Sequence, residues 1–61
     1  MKPEYSYSME DIYGDACEVF VYEDGTAVLR YFDYDRGVTM IVPKDSETQA
    51  YAWAFKHGYR E

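Results

Sequence analysis

The sequence predicts a small α+β domain: a three-stranded antiparallel meander with a C-terminal helix packed on one face and a short N-terminal helical turn. Two observations predict this fold class. Apolar and polar residues alternate on both sides of Asp24-Gly25, a pair typical of hairpin turns. Ser46 and Gln49 have the spacing of a helix capping box, and Gly58 stands where that helix would end. With 61 residues, the chain is expected to form a single domain.

The N-terminal segment is predicted from two short patterns. Residues 1–7 have no helical periodicity and contain a proline, so they are expected to form an arm or an irregular edge segment. Ser8 and Asp11 form a capping pattern that Gly14 closes, which predicts a short helix over residues 8–14. The apolar side of this helix would consist of Met9, Ile12 and Tyr13.

The meander is predicted over residues 16–42, because this stretch alternates with a period of two. Its strands are residues 16–23, 26–34 and 38–42, and Pro43 is expected to end the last one. A two-residue loop at Asp24-Gly25 pairs Phe20 with Leu29, and a three-residue loop at 35–37 pairs Tyr31 with Ile41.

In this register one face of the meander is apolar and is expected to lie under the helix. Its residues are Cys17, Val19, Val21, Val28, Arg30, Phe32, Tyr34, Val38, Met40 and Val42. The opposite face presents Phe20, Tyr22, Leu29, Tyr31, Thr39 and Ile41, with Glu18 and Asp33 at its margins. Since one helix cannot cover both faces, the second is either covered by residues 1–15 or available for contact, including contact with a second copy as a homodimer.

The C-terminal helix is predicted over residues 46–57. Ala50 and Ala54 lie at the middle of its apolar face, where small side chains permit a close approach to the sheet. Tyr51 and Phe55 flank them on one side and Trp53 on the other. Trp53 and Phe55 are therefore expected to close the two edges of the helix against the sheet.

The excess negative charge is confined to the first half of the chain. The net charge is −6; residues 1–29 carry seven acidic residues and one lysine, whereas residues 30–61 carry five acidic and five basic residues. Such asymmetry indicates a partner with a basic surface, which is typical of a protein that itself binds nucleic acid. Direct nucleic-acid binding is disfavoured, because acidic residues outnumber Lys and Arg by twelve to six.

Other classes of protein fit the composition poorly. An apolar content of 48 % is too high for a disordered acidic tail. A single cysteine excludes an intrachain disulfide, and no apolar run is long enough to form a leader or to span a membrane. The sequence therefore predicts a soluble cytosolic protein.

No spacing in the chain indicates catalysis, a cofactor or a metal site. His57 is the only histidine and fits the C-terminal end of the helix. Cys17 falls on the apolar face and is expected to be an unreactive buried thiol. The acids of Asp33-Tyr34-Asp35 are expected to form a turn. We therefore expect a protein that is not an enzyme.

Acidic and aromatic residues alternate locally, and this pattern indicates the binding surface. Carboxylates can replace phosphates in front of Arg and Lys, and tyrosine rings can stack on guanidinium groups. The candidate partner-binding residues are Glu10, Asp11, Tyr13, Asp15, Glu18, Phe20, Tyr22, Glu23, Asp24, Tyr31 and Asp33. A solvated acidic surface that serves only solubility is the alternative.

In size, acidity, aromatic content and lack of catalytic motifs the chain resembles the small phage-encoded anti-CRISPR and related anti-defence inhibitors, some of which mimic nucleic acids. The resemblance is one of general character, and no functional residue is carried over from it. It implies a stoichiometric, non-enzymatic inhibitor that occupies the nucleic-acid-binding surface of a defence complex in the host cytoplasm. The alternative is a small structural or regulatory module that dimerises through the second face of its sheet.

Overall fold

The computed structural model describes residues 2–61. In this part of the chain four strands form one antiparallel sheet, and one helix packs on one face of the sheet. The α+β class is confirmed, but the sheet has four strands instead of three. Along both the chain and the sheet the order is β1-β2-β3-β4. The elements are β1 (Tyr5–Glu10), β2 (Ala16–Val21), β3 (Ala27–Asp33), β4 (Val38–Lys44) and α1 (Glu47–Lys56).

The predicted helix over residues 8–14 is wrong: β1 includes residues 8–10, and a turn follows over residues 11–14. Residues 5–7 of the segment predicted as an arm also belong to β1, and Met1 of that segment lies outside the described residues. Tyr5, Tyr7 and Met9 alternate with polar residues, and this period of two places them together on the inner face of the sheet. Ser8 does not cap a helix; it lies within β1, opposite Glu18. In β1 the side chain of Met9 is buried, and this favours the strand over a helix that is too short to be stable alone.

The hairpin between β2 and β3 has a longer loop than the sequence predicts. Val21 pairs with Ala27, and Tyr22 donates its N–H to the carbonyl of Thr26, so the loop has three residues instead of two. Gly25 has a φ of 93°, the left-handed conformation that the last position of such a loop requires. Phe20 consequently pairs with Val28 and not with Leu29.

This shift of one residue reverses which side chains of β3 face the helix. The prediction that Val28 and Phe32 lie under the helix is wrong; Leu29 and Tyr31 occupy that face instead. The loop between β3 and β4 is also one residue longer than predicted, because Asp33 pairs with Val38. The second shift compensates for the first, so the facing of β4 is predicted correctly.

The inner face is the side of the sheet on which α1 packs. Its residues are Tyr5, Tyr7, Met9, Cys17, Val19, Val21, Ala27, Leu29, Tyr31, Met40 and Val42. The uncovered face is the opposite side. Its residues are Ser6, Ser8, Glu18, Phe20, Val28, Arg30, Phe32, Thr39, Ile41 and Pro43. Pro43 does not end β4, because an edge strand tolerates a residue that donates no hydrogen bond.

The predicted helix and both of its caps are confirmed. Ser46 accepts a hydrogen bond from the backbone N–H of Gln49 at 3.2 Å, which satisfies one free donor of the first turn. At the other end, the N–H groups of Gly58 and Tyr59 bond to the carbonyls of Phe55 and Ala54. This is a Schellman motif, and Gly58 adopts the positive φ of 93° that it needs.

Ala50 and Ala54 are fully buried and let α1 lie close to β2, β3 and β4. Trp53 packs on Tyr31, with ring centroids 5.1 Å apart, and on His57 at 3.8 Å. Phe55 does not close the helix against the sheet: its side chain is 49 % exposed. Its ring instead contacts the guanidinium group of Arg60, a residue of the segment that follows the helix.

The segment after α1 returns to the sheet and pairs with β1. Glu10 and Arg60 exchange two backbone hydrogen bonds of 2.8 Å, and Tyr59 is buried beside the core. The Arg60 guanidinium lies 3.5 Å from the centroid of the Phe55 ring and donates to the carbonyls of Phe55 and Tyr59. The end of the sheet that carries the β1–β2 and β3–β4 loops is therefore also the end at which α1 stops.

Candidate interaction surfaces

The β1–β2 loop is organised by the carboxylate of Asp11. Its Oδ1 accepts backbone N–H groups from Tyr13 at 2.9 Å and Asp15 at 3.0 Å, and the carbonyl of Asp11 accepts the N–H of Gly14. These bonds fix a turn whose outermost side chains have no contact with the core. Ile12 is 90 % exposed and Tyr13 is 82 % exposed.

The β3–β4 loop is organised in the same way by Asp33. Its Oδ1 accepts the backbone N–H groups of Asp35 at 3.0 Å and Arg36 at 3.2 Å. The other oxygen lies 3.7 Å from Nε of Arg36, which is a weak exposed ion pair. Tyr34 is 69 % exposed, and its ring meets that of Phe32 edge-on at 4.7 Å. The prediction that Tyr34 lies under the helix is therefore wrong.

These two loops lie side by side, because loops of a meander alternate between the two ends of the sheet. The hydroxyl of Tyr34 donates to Oδ1 of Asp15 at 3.0 Å and so links them. This hydrogen bond raises the pKa of Tyr34 above its ordinary value, which keeps the hydroxyl protonated as the donor. We call this surface the acidic end. Its residues are Glu10, Asp11, Ile12, Tyr13, Asp15, Asp33, Tyr34 and Asp35.

Two of the predicted acidic residues lie at the other end of the sheet. Glu23 and Asp24 are exposed in the β2–β3 loop, roughly 20 Å away along β2, the length of a six-residue strand. Hydrogen bonds from the Thr26 hydroxyl and backbone N–H lower the pKa of Asp24. The carboxylates of the first half therefore form two separate groups instead of one patch.

Glu18 belongs to neither group, because it is paired on the uncovered face. Its Oε1 accepts from Arg30 Nε at 2.9 Å and Nη2 at 2.6 Å, across the β2–β3 register. The guanidinium carbon of Arg30 also lies 5.0 Å from the centroid of the Phe20 ring. Glu18 and Phe20 are thus occupied by contacts within the chain.

The remaining two candidates, Tyr22 and Tyr31, lie in different parts of the structure. Tyr31 lies on the inner face against Trp53, so its place on an exposed sheet face is a wrong prediction. Tyr22 is half-buried just beyond β2, beside the Glu23-Asp24 group. The structure therefore brings together Glu10, Asp11, Tyr13, Asp15 and Asp33, and leaves Glu18, Phe20, Tyr22, Glu23, Asp24 and Tyr31 elsewhere.

The sequence prediction missed Ile12, Tyr34 and Asp35 as members of the acidic end. The sequence pattern assigns Ile12 to the apolar side of a short helix and Tyr34 to the sheet face under the C-terminal helix. The alternation of Tyr5, Tyr7 and Met9 is the signal that could have corrected the first assignment, because it makes residues 11–15 a hairpin loop.

The buried thiol and the potential metal ligands show no reactive arrangement in the described part of the chain. Cys17 is fully buried, and burial raises the pKa of its thiol to about 11, so it stays protonated at neutral pH. Residues 2–61 contain no group of three or more His, Cys, Asp or Glu placed to hold a metal ion. No helix within this range has the length and apolarity needed to cross a membrane.

Comparison with protein families, characterised proteins and solved structures found no match.

Proposed function

We propose that this protein is a non-enzymatic binding protein whose acidic end contacts a basic, nucleic-acid-binding surface of a partner protein. It acts in the cytoplasm as a stoichiometric inhibitor of the anti-CRISPR kind, and it occupies the position of a nucleic acid on its partner. One observation carries the proposal: the same end of the sheet carries five carboxylates and two almost fully exposed apolar side chains, Ile12 and Tyr13.

The two kinds of residue serve different parts of the binding reaction. Carboxylates at the rim of a contact accelerate association with a basic surface and orient the partner. Ile12 and Tyr13 supply the apolar surface whose burial lowers the dissociation rate, and tyrosine is common among residues that dominate binding energies. A surface that served solubility alone would gain nothing from exposing them.

The loops are held in place before a partner arrives. Asp11 and Asp33 each bind two backbone N–H groups of their own loop, and Tyr34 joins the loops through Asp15. A contact surface that is already ordered loses less conformational entropy on binding, which favours affinity. This supports a role for both loops as one binding unit.

The separation of the acidic residues into two groups limits how much of a nucleic acid this protein can imitate. Glu23 and Asp24 lie too far from the acidic end to share one short contact, and Glu18 is neutralised by Arg30. The proposed contact therefore replaces a few consecutive phosphates rather than a long stretch of nucleic acid.

Two matched triple variants test this proposal. Glu10→Gln, Asp15→Asn and Asp35→Asn remove three charges from the acidic end and keep the oxygen that Tyr34 needs. Glu23→Gln, Asp24→Asn and Asp45→Asn remove three charges elsewhere. Each protein is immobilised and used to capture partners from a lysate of the cells that express it, and the bound proteins are then challenged with nucleic acid.

We expect wild type and the second variant to retain the same basic protein, the acidic-end variant to lose it, and nucleic acid to displace it. Equal capture by both variants would contradict the proposed surface. A captured protein that binds nucleic acid and this chain at the same time would contradict the mimicry.

The second candidate function is a module that dimerises through the uncovered face. The observation in its favour is that Phe32 and Ile41 remain 44 % and 57 % exposed there, because α1 covers only the inner face. The surface differs from the predicted one: Val28 and Phe32 replace Leu29 and Tyr31. Sedimentation equilibrium over a range of concentrations tests it, since a strict monomer contradicts this function.

A further inference from the structure

A cleft lies between β1 and α1, away from the acidic end. The helix packs on β2, β3 and β4 and leaves the inner face of β1 open near Tyr5 and Tyr7. The resulting space has a volume of about 550 Å³, within the range of small-molecule sites. We call it the tyrosine cleft; its residues are Tyr5, Tyr7, Glu47, Thr48, Tyr51, Ala52 and Glu61.

The walls of the tyrosine cleft are aromatic and ordered. The rings of Tyr5 and Tyr7 are nearly parallel, at 18° and 6.4 Å between centroids. The Tyr7 hydroxyl donates to Oε2 of Glu47 at 2.5 Å, which joins β1 to the first residue of α1. Tyr51, one turn farther along the helix, stacks on Phe55 and forms the third aromatic wall.

The described residues that line the cleft include two carboxylates and no lysine or arginine. Neither Glu47 nor Glu61 forms an ion pair within residues 2–61. Burial, the hydrogen bond to Glu47 and the nearby negative charges raise the pKa of Tyr7 well above its ordinary value. Tyr7 therefore remains a neutral donor, and among residues 2–61 no Lys or Arg side chain lies within ion-pair distance of either carboxylate.

Aromatic faces and carboxylates together select one class of ligand. Tyrosine rings attract cations through their negative faces, and this attraction is strongest for weakly hydrated ammonium and guanidinium groups. An anion would be repelled by Glu47 and Glu61, and a neutral apolar ligand would leave their charge uncompensated. A bare metal ion would find only two carboxylates, below the number of oxygen ligands that Ca²⁺ or Mg²⁺ requires.

We propose that the tyrosine cleft binds an organic cation, with its ammonium or guanidinium group held among Tyr5, Tyr7 and Tyr51 and neutralised by Glu47 and Glu61. The cation is either a free small molecule or the end of a lysine or arginine side chain. This site goes beyond the proposed function, because it lies toward the end of β1 opposite the acidic end and shares no residue with it.

Titration of the isotopically labelled full chain, followed by NMR, tests the site. The probes are choline and its uncharged isostere 3,3-dimethylbutan-1-ol, followed by N-acetylarginine amide. We expect choline to shift the amide signals of Tyr5, Tyr7 and Tyr51 and to bind about fivefold or more tightly than the isostere, because only choline carries the charge. Tighter binding of the arginine derivative would identify a side chain as the source, and tighter binding of choline a small molecule.

Three variants distinguish the cleft from general charge attraction. Glu47→Gln and Tyr51→Leu should each weaken choline binding about threefold, while the amide spectrum shows that the fold is retained. Asp45→Asn is the matched control, because it removes a nearby charge outside the cleft and should bind choline as wild type does. Equal binding of choline and its isostere, or unchanged binding in both cleft variants, would overturn the site. Loss of the acidic-end contact would leave these results unaffected.

Discussion

The burial of Leu29 shows which face of β3 belongs to the core. This residue is fully buried beneath α1, whereas its neighbours along β3 point to the uncovered face. Ile41 has a comparable volume but lies on the uncovered face and is 57 % exposed. In the register that the sequence predicts, both residues would lie on the uncovered face, so the effect of substituting Leu29 relative to Ile41 measures the register directly.

We predict that Leu29→Ala destabilises the protein by about 3 kcal/mol, because it leaves a cavity in the core. That loss is comparable to the whole stability expected of a domain below about 70 residues. Ile41→Ala, the matched control, should cost less than about 1 kcal/mol. Urea denaturation followed by circular dichroism checks both, and an equally small loss for the two variants would restore the predicted register, in which both residues lie on the uncovered face.

The buried thiol gives a prediction for alkaline pH. The pKa of Cys17 is about 11 in the folded chain, against an ordinary value of 9.0. Its contribution to stability is therefore fully present below pH 9 and is lost as the pH rises toward 11, since the unfolded chain ionises first. Tyr7 and Tyr59, whose pKa values are also raised, add a further loss above about pH 10.

We expect the urea midpoint to fall between pH 8.5 and 10, and the fall to be smaller in Cys17→Ala, which has no thiol to ionise. A series of denaturation curves at steps of about half a pH unit measures the slope. The smaller alanine side chain lowers the stability by the same amount at every pH, so this loss does not affect the slope. Parallel slopes for wild type and variant would rule out this account of Cys17.

At the scale of elements, local signals predict the helix fully and the sheet only in part. The caps at Ser46 and Gly58 are local, and both form as their spacing indicates. Ser8 and Asp11 have a similar local pattern, but pairing with β2 buries Met9 and outweighs it. The loop lengths after β2 and β3 depend on pairing across the sheet, and the sequence pattern misjudges each by one residue.

Two serines test this distinction between similar patterns. Ser46→Ala should destabilise the protein by about 1 kcal/mol, because the N–H of Gln49 loses its acceptor. Ser8→Ala should change stability by less than about 0.5 kcal/mol, since Ser8 is exposed within β1. Thermal denaturation of the two variants checks the pair. A larger loss for Ser8→Ala would indicate that Ser8 caps a helix after all.

At the scale of the molecule, the sequence indicates the type of surface but not its extent. The confinement of the excess negative charge to residues 1–29 is visible in the sequence, and five of its candidate residues meet at the acidic end. Which carboxylates meet is decided by the meander, which sends alternate loops to opposite ends of the sheet. Asp33, Tyr34 and Asp35 join from the neutral half, whereas Glu23 and Asp24 lie at the opposite end of the sheet.

The affinity of the captured partner at several salt concentrations tests the central claim most directly. The two triple variants have the same net charge, so only the location of the lost carboxylates differs. We predict that the acidic-end variant binds at least about tenfold more weakly than wild type at low salt and depends less on salt, while the other variant matches wild type. Equal losses in both variants would show that net charge, and not the acidic end, determines binding.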